Sequence, residues 1–76
     1  MSRFGAPIKP TPSKADQVYD QISAAILAGR LKPGDRVNVD EITRDLGVSK
    51  IPVREALQRL EAQGLIVQTP YSGARV

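Results

Sequence analysis

The chain has 76 residues, enough for one domain, with eleven basic and eight acidic side chains, a formal charge of +3 and neither cysteine nor histidine. Without cysteine there are no disulfides or thiolate metal sites, and without histidine the commonest general base and zinc ligand are gone, so the chain is not expected to be an enzyme or to carry a metal or cofactor. No apolar run approaches the ~20 residues of a membrane span and the N-terminus lacks the apolar core of a secretory signal, so a cytoplasmic protein is expected, with a basic balance that suits a polyanionic partner.

Residues 1–13 hold three of the six prolines, Pro7, Pro10 and Pro12, and the cations Arg3 and Lys9. They lack apolar periodicity and read as a flexible, proline-rich basic arm. Such an arm is either a disordered leader or a segment that follows the DNA backbone or enters a minor groove. Ser13 is then a plausible cap for a first helix over residues 14–28. Val18, Ile22, Ala25 and Ile26 form its apolar stripe, with Tyr19 at the border. Asp16 suits the positive end of the helix dipole. Asp16 and Asp20 read as a solvated face rather than paired catalytic carboxylates, since nothing else catalytic lies nearby. Gly29 stops the helix and Leu31 folds back onto it.

In the sequence LKPGDRV, residues 31–37, Pro33-Gly34 predicts a type II turn, followed by a short extended run over residues 36–38. The stretch 38–63, NVDEITRDLGVSKIPVREALQRLEAQ, reads as helix, tight turn, helix. Asn38 caps the first of the pair, with Glu41 three residues on as in a capping box. Ile42 and Leu46 share one face, and Gly47 ends the helix with Val48 folding back. Ser49 caps the next. Pro52 is tolerated in a first turn, whose amides have no intrahelical partner, yet it disfavours helical angles at Ile51, so a start at Ser49 and one nearer Pro52 both stand. Val53, Ala56, Leu57 and Leu60 form the buried stripe, Lys50, Arg54 and Gln58 the opposite side, and Gly64 closes the helix. A polar, basic opening on the second helix is the sequence form of a helix-turn-helix, which lays that helix in the DNA major groove.

After Gly64, LIVQT reads as a strand bounded by Pro70. Tyr71, Ser72 and Gly73 form a tight tip, and residues 74–76 start a return strand. Such a hairpin is marginal alone and is expected to recruit the segment near residues 36–38 as a third strand. The predicted fold is mostly α with a small β-wing: a winged helix-turn-helix of three helices, with a short strand after the first helix and a C-terminal β-hairpin. It spans residues 14–76.

These segments resemble the DNA-binding domain of the GntR family of bacterial transcription regulators. LAGRLKPGDRV is similar to the family's approach to its second helix. LGVSKIPVREALQRLEAQGLI is similar to its helix-turn-helix and is the most specific part. YSGARV is similar to its wing and leans toward the FadR-like branch. The resemblance covers residues 14–76. It implies sequence-specific binding to a roughly palindromic double-stranded operator as a homodimer, by a regulator, a repressor by expectation, whose larger ligand-sensing and dimerisation domain is absent from this chain. A small-molecule effector would act only through that missing domain.

Carried onto this sequence, the resemblance places Ser49, Lys50 and Arg54 at the DNA-facing start of the recognition helix. Ile51 and Pro52 lie in the same turn, where they can touch sugar or a thymine methyl. Ser72 and Gly73, with Tyr71, approach the minor groove, and Arg75 beside the tip is a backbone candidate. Arg54 is the expected base contact, through two hydrogen bonds to guanine N7 and O6. Two positions depart from the family's pattern. Lys50 stands where arginine is more usual, a point charge in place of a planar fork. Asp40 stands where a groove-facing arginine is common in the FadR-like branch, and it would repel phosphate. The alternative reading is a winged helix that docks a protein; the polar face of Ser49, Lys50, Arg54 and Gln58 favours DNA, because a protein-docking face would expose apolar residues.

Overall fold

The computed structural model describes residues 3–4, 13–69 and 73–76. Its elements run α1 (Lys14–Leu27), β1 (Arg36–Val37), α2 (Val39–Leu46), α3 (Lys50–Ala62), β2 (Val67–Thr69) and β3 (Gly73–Arg75). This is the expected order of helix, strand, helix, helix, strand, strand.

Each helix buries the stripe its sequence period marks out. α1 turns Val18, Ile22 and Ala25 inward, with Tyr19 and Ile26 packed at the edge. α2 contributes Ile42 and Leu46, and α3 contributes Val53, Ala56, Leu57 and Leu60. Leu31, Val37, Ile66 and Ala74 close the core from the connections and the sheet. Among the described residues no polar or charged side chain is buried, so cohesion comes from apolar burial, worth ~1.5–3 kcal/mol per large aliphatic side chain.

The helix ends follow local chemistry. Asn38 sits in extended geometry and its Oδ1 accepts the Glu41 amide at 3.0 Å. At the other end Gly47 has φ 71° and ψ 38°. Its left-handed backbone lets the amides of both Gly47 and Val48 donate to the Thr43 carbonyl, at 3.0 and 3.2 Å. Ser13 and Ser49 occupy N-cap positions without a side-chain capping bond. Pro52 lies inside the first turn of α3, so the helix begins at Lys50 and the two open starts resolve to the earlier one. Ile51 is helical despite the proline that follows it.

The turn at residues 32–35 is as expected. The Asp35 amide donates to the Lys32 carbonyl at 2.9 Å, and Gly34 takes φ 89°. It feeds β1 into a three-stranded antiparallel sheet of order β1-β3-β2. Val37 pairs with Ala74 and Gln68 with Ala74, while Arg36 and Val67 pair with Arg75. Alternation therefore turns Val37 and Ala74 into the core and leaves Arg36, Val67 and Arg75 outside. β3, not β2, is central, so the wing is joined to the body through β1.

The structure departs from a free arm at its start. Phe4 is 0% exposed and belongs to the core. Arg3 lies over its ring, 4.9 Å from the centroid, and donates to the Arg36 carbonyl at 2.9 Å. Arg3 also approaches Asp35 at 4.0 Å and Glu41 at 3.7 Å. Residues 1–2 and 5–12, which include Lys9 and the three arm prolines, lie outside the described residues.

Candidate nucleic-acid interface

The first two turns of α3 gather most of the expected contact residues on one outer surface. Ser49, Lys50, Ile51 and Arg54 are exposed and Pro52 half-buried, while Val53, Ala56 and Leu57 between them face the core. The 3.6-residue period produces this separation: Val53, Ala56, Leu57 and Leu60, three and four apart, share the buried face, while Lys50, Arg54 and Gln58, four apart, share the exposed one. Ile51 is 70% exposed, with the polar side chains of Ser49, Lys50 and Arg54 on the same surface.

Arg54 makes no ion pair among the described residues. Glu61, which could have engaged it, instead accepts the Gln68 amide at 3.2 Å. The Arg54 guanidinium makes no side-chain hydrogen bond among the described residues either, so the fork faces outward from α3. Lys50 differs, since its Nζ lies 3.0 Å from Asp40 Oδ1 on the first turn of α2. The hydroxyl of Ser49 is not used in capping, and the α3 amides beside it project from a helix N-terminus, where anions are favoured.

An open groove of about 400 Å³ runs beside this opening, lined by Ser13, Lys14, Ala15, Ser49, Ile51, Pro52 and Glu55. The start of α1 therefore flanks the start of α3, a neighbourhood the sequence reading did not anticipate. Nothing in the local pattern of either helix encodes it, because it arises from α1 docking along α3.

At the wing, Gly73 opens β3 with φ 73° and is exposed. Arg75 is exposed and donates to the Gly34 carbonyl at 3.1 Å, which draws its guanidinium toward the turn at residues 32–35. Across the ladder Arg36 is its partner, so two arginines share the outer face of the sheet. Tyr71 and Ser72, the expected tip contacts, lie outside the described residues.

Arg59 pairs with Asp16 of α1 rather than with Glu55, four residues before it on α3, and lies 4.4 Å from the centroid of the Tyr19 ring. Tyr19 Oη in turn donates to Gln63 Oε1. The Asp16 carboxyl is held below its ordinary pKa by a hydrogen bond from Ser13 and, next, by the one from Arg59. Asp16 is therefore a structural carboxylate that ties α1 to α3.

The model of the bacterial regulatory proteins of the gntR family matches residues 14–76. This chain belongs to the gntR family. It is 43% identical over 65 residues to the HTH-type transcriptional regulator YdhC of Bacillus subtilis, a match covering 86% of this chain and 29% of that protein. It is 45% identical over 62 residues to a probable D-xylose utilization operon transcriptional repressor of Paenarthrobacter nicotinovorans, covering 82% and 27%. The chain thus spans less than a third of the length of these curated relatives.

Among solved structures, a gntR-family regulator of Pseudomonas syringae superposes with a TM-score of 0.85 at 34% identity, covering 96% of this chain and 31% of that one. The DNA-binding domain of AraR in complex with operator ORX1 superposes with a TM-score of 0.79 at 29% identity, covering 96% and 90%. The gntR domain of this chain has the winged-helix architecture of these neighbours: three helices and a small antiparallel wing.

Proposed function

We propose that the chain binds double-stranded DNA in a sequence-specific manner, with the opening of α3 in the major groove and the wing over the adjacent minor groove. The observation that carries this reading is the one-sided surface of α3: Ser49, Lys50 and Arg54 stand exposed while Val53, Ala56, Leu57 and Leu60 are buried. The operator complexes of the AraR domain, which shares the fold, support it. Arg54 is assigned to guanine N7 and O6, Lys50 to the neighbouring base edge or phosphate, and Ser49 to phosphate at the helix N-terminus. Ile51 and Pro52 meet sugar or a thymine methyl. Tyr71, Ser72 and Gly73 are assigned to the minor groove and Arg75 to the backbone.

At the level of the whole regulator, the reading is a cytoplasmic, bacterial, metabolite-responsive repressor of the FadR-like branch. It acts as a homodimer on a roughly palindromic operator, with half-sites about 34 Å apart. Effector sensing is assigned to chain beyond residues 1–76, a division the greater length of the relatives supports. The branch assignment rests on the ending YSGARV. One domain alone binds weakly, because joining two heads supplies avidity.

A two-dimensional NMR titration tests the proposal. The domain is titrated with a random-sequence duplex and with a palindrome selected from a random pool, at low and moderate salt. Shifts concentrated in residues 49–58 and 71–75, weakening with salt and stronger for the palindrome, are expected. Silence of those amides with duplex in excess at low salt would exclude DNA and turn attention to a protein partner.

A further inference from the structure

Lys50 does not face solvent as a lone cation. Its ammonium lies 3.0 Å from the Asp40 carboxylate, with side-chain exposures of 55% and 77%. At that exposure the pair is solvent-screened and opens readily, so it adds little to the fold. Its consequence is for whatever approaches α3. Any anion that nears the Lys50 ammonium also nears the Asp40 carboxylate, and the pair together carries no net charge.

Phosphate and base edges respond to this pair differently. Nonspecific attraction to DNA rests on neutralising phosphates with unpaired cations, and a cation already paired contributes little to it. A G·C pair presents the N7 and O6 acceptors of guanine beside the N4 donor of cytosine in the major groove. A donor and an acceptor 3.0 Å apart have partners for both on that edge. We propose that Asp40 is a specificity-determining residue: it cancels the pull of Lys50 on phosphate and leaves Lys50 effective where a base edge satisfies both groups. The inference rests on the reading that the opening of α3 enters the major groove.

The test is fluorescence anisotropy over a salt series, with a random-sequence duplex and a duplex selected by the unaltered chain from a random pool. The proteins are the unaltered chain, Asp40→Asn, Lys50→Ala, the double variant, and Asp20→Asn as a control that removes one exposed negative charge on α1. Circular dichroism checks that each is folded. Asp40→Asn is expected to tighten binding to the random duplex about 2–5-fold at low salt and to steepen its log–log salt slope by about 0.9, one added phosphate contact. The selected duplex should gain less, so the preference between duplexes falls. Asp20→Asn should leave that preference unchanged, and Lys50→Ala should abolish the effect of Asp40→Asn. The inference is overturned if Asp40→Asn tightens both duplexes by the same factor as Asp20→Asn, or if its effect persists in full without Lys50. A different failure is Lys50→Ala binding both duplexes like the unaltered chain: the placement of α3 at DNA then fails at Lys50, and the role of Asp40 with it.

Discussion

Replacing Phe4 with alanine should unfold a large fraction of the population under mild stress, although Phe4 lies ten residues before the first helix. The ring is 0% exposed, within the same core as Ile22, Leu46 and Leu57. Truncating a buried phenylalanine costs about 3–5 kcal/mol. Some of this is returned if the segment undocks, since each released residue regains about 1–2 kcal/mol of backbone freedom. The exposed contacts of Arg3 with Asp35 and Glu41 add little on the other side. A net loss of about 3 kcal/mol is expected. At roughly 0.05–0.15 kcal/mol per residue, a domain of this size holds only about 4–11 kcal/mol in total. The loss corresponds to a fall in Tm of about 12–24 °C. Urea and thermal unfolding followed by far-ultraviolet circular dichroism measure it. A loss within ~0.5 kcal/mol, the scale of a surface substitution, would refute the placement of Phe4 in the core.

Three further outcomes follow from individual residues. Gly47→Ala should cost about 1–2 kcal/mol in urea unfolding: a Cβ there meets nothing within 4 Å, so the penalty is one of backbone conformation at φ 71°. The Asp16 pKa is depressed in the folded state, so its contribution is present above the unfolded aspartate pKa of ~3.9 and is lost as pH falls through the lower folded value; Asp16→Asn should flatten that part of the stability profile, and an unchanged acid limb would count against the pairing with Arg59. Arg54→Ala should leave Tm within a degree or two of the unaltered chain, roughly a surface change, yet weaken binding to a selected palindrome by about 1–3 kcal/mol; equal weakening on random and selected duplexes would assign Arg54 to phosphate instead.

The helices were legible because each carries its own stop and start signals and its own apolar stripe. Asn38, Gly47 and Gly64 act within a few residues of themselves, and the period of Val53, Ala56, Leu57 and Leu60 names the buried face without reference to any partner. The exposed side of α3, with Lys50 and Arg54, follows from the same period. The turn at Pro33-Gly34 was equally local.

What the tertiary structure alone decided are relations between segments far apart in the chain. Phe4 joins the core, Arg59 turns to Asp16 rather than Glu55, Lys50 turns to Asp40, and Arg75 reaches the Gly34 carbonyl. Each depends on how α1, α2, α3 and the sheet dock, and docking is set by the summed burial of many apolar side chains rather than by any local signal. A polar side chain's partner is then whichever opposite group the docked core happens to bring within reach. Sequence by itself therefore determined the elements and the exposed face of α3, while the packing of the core decided which charges on that face are paired.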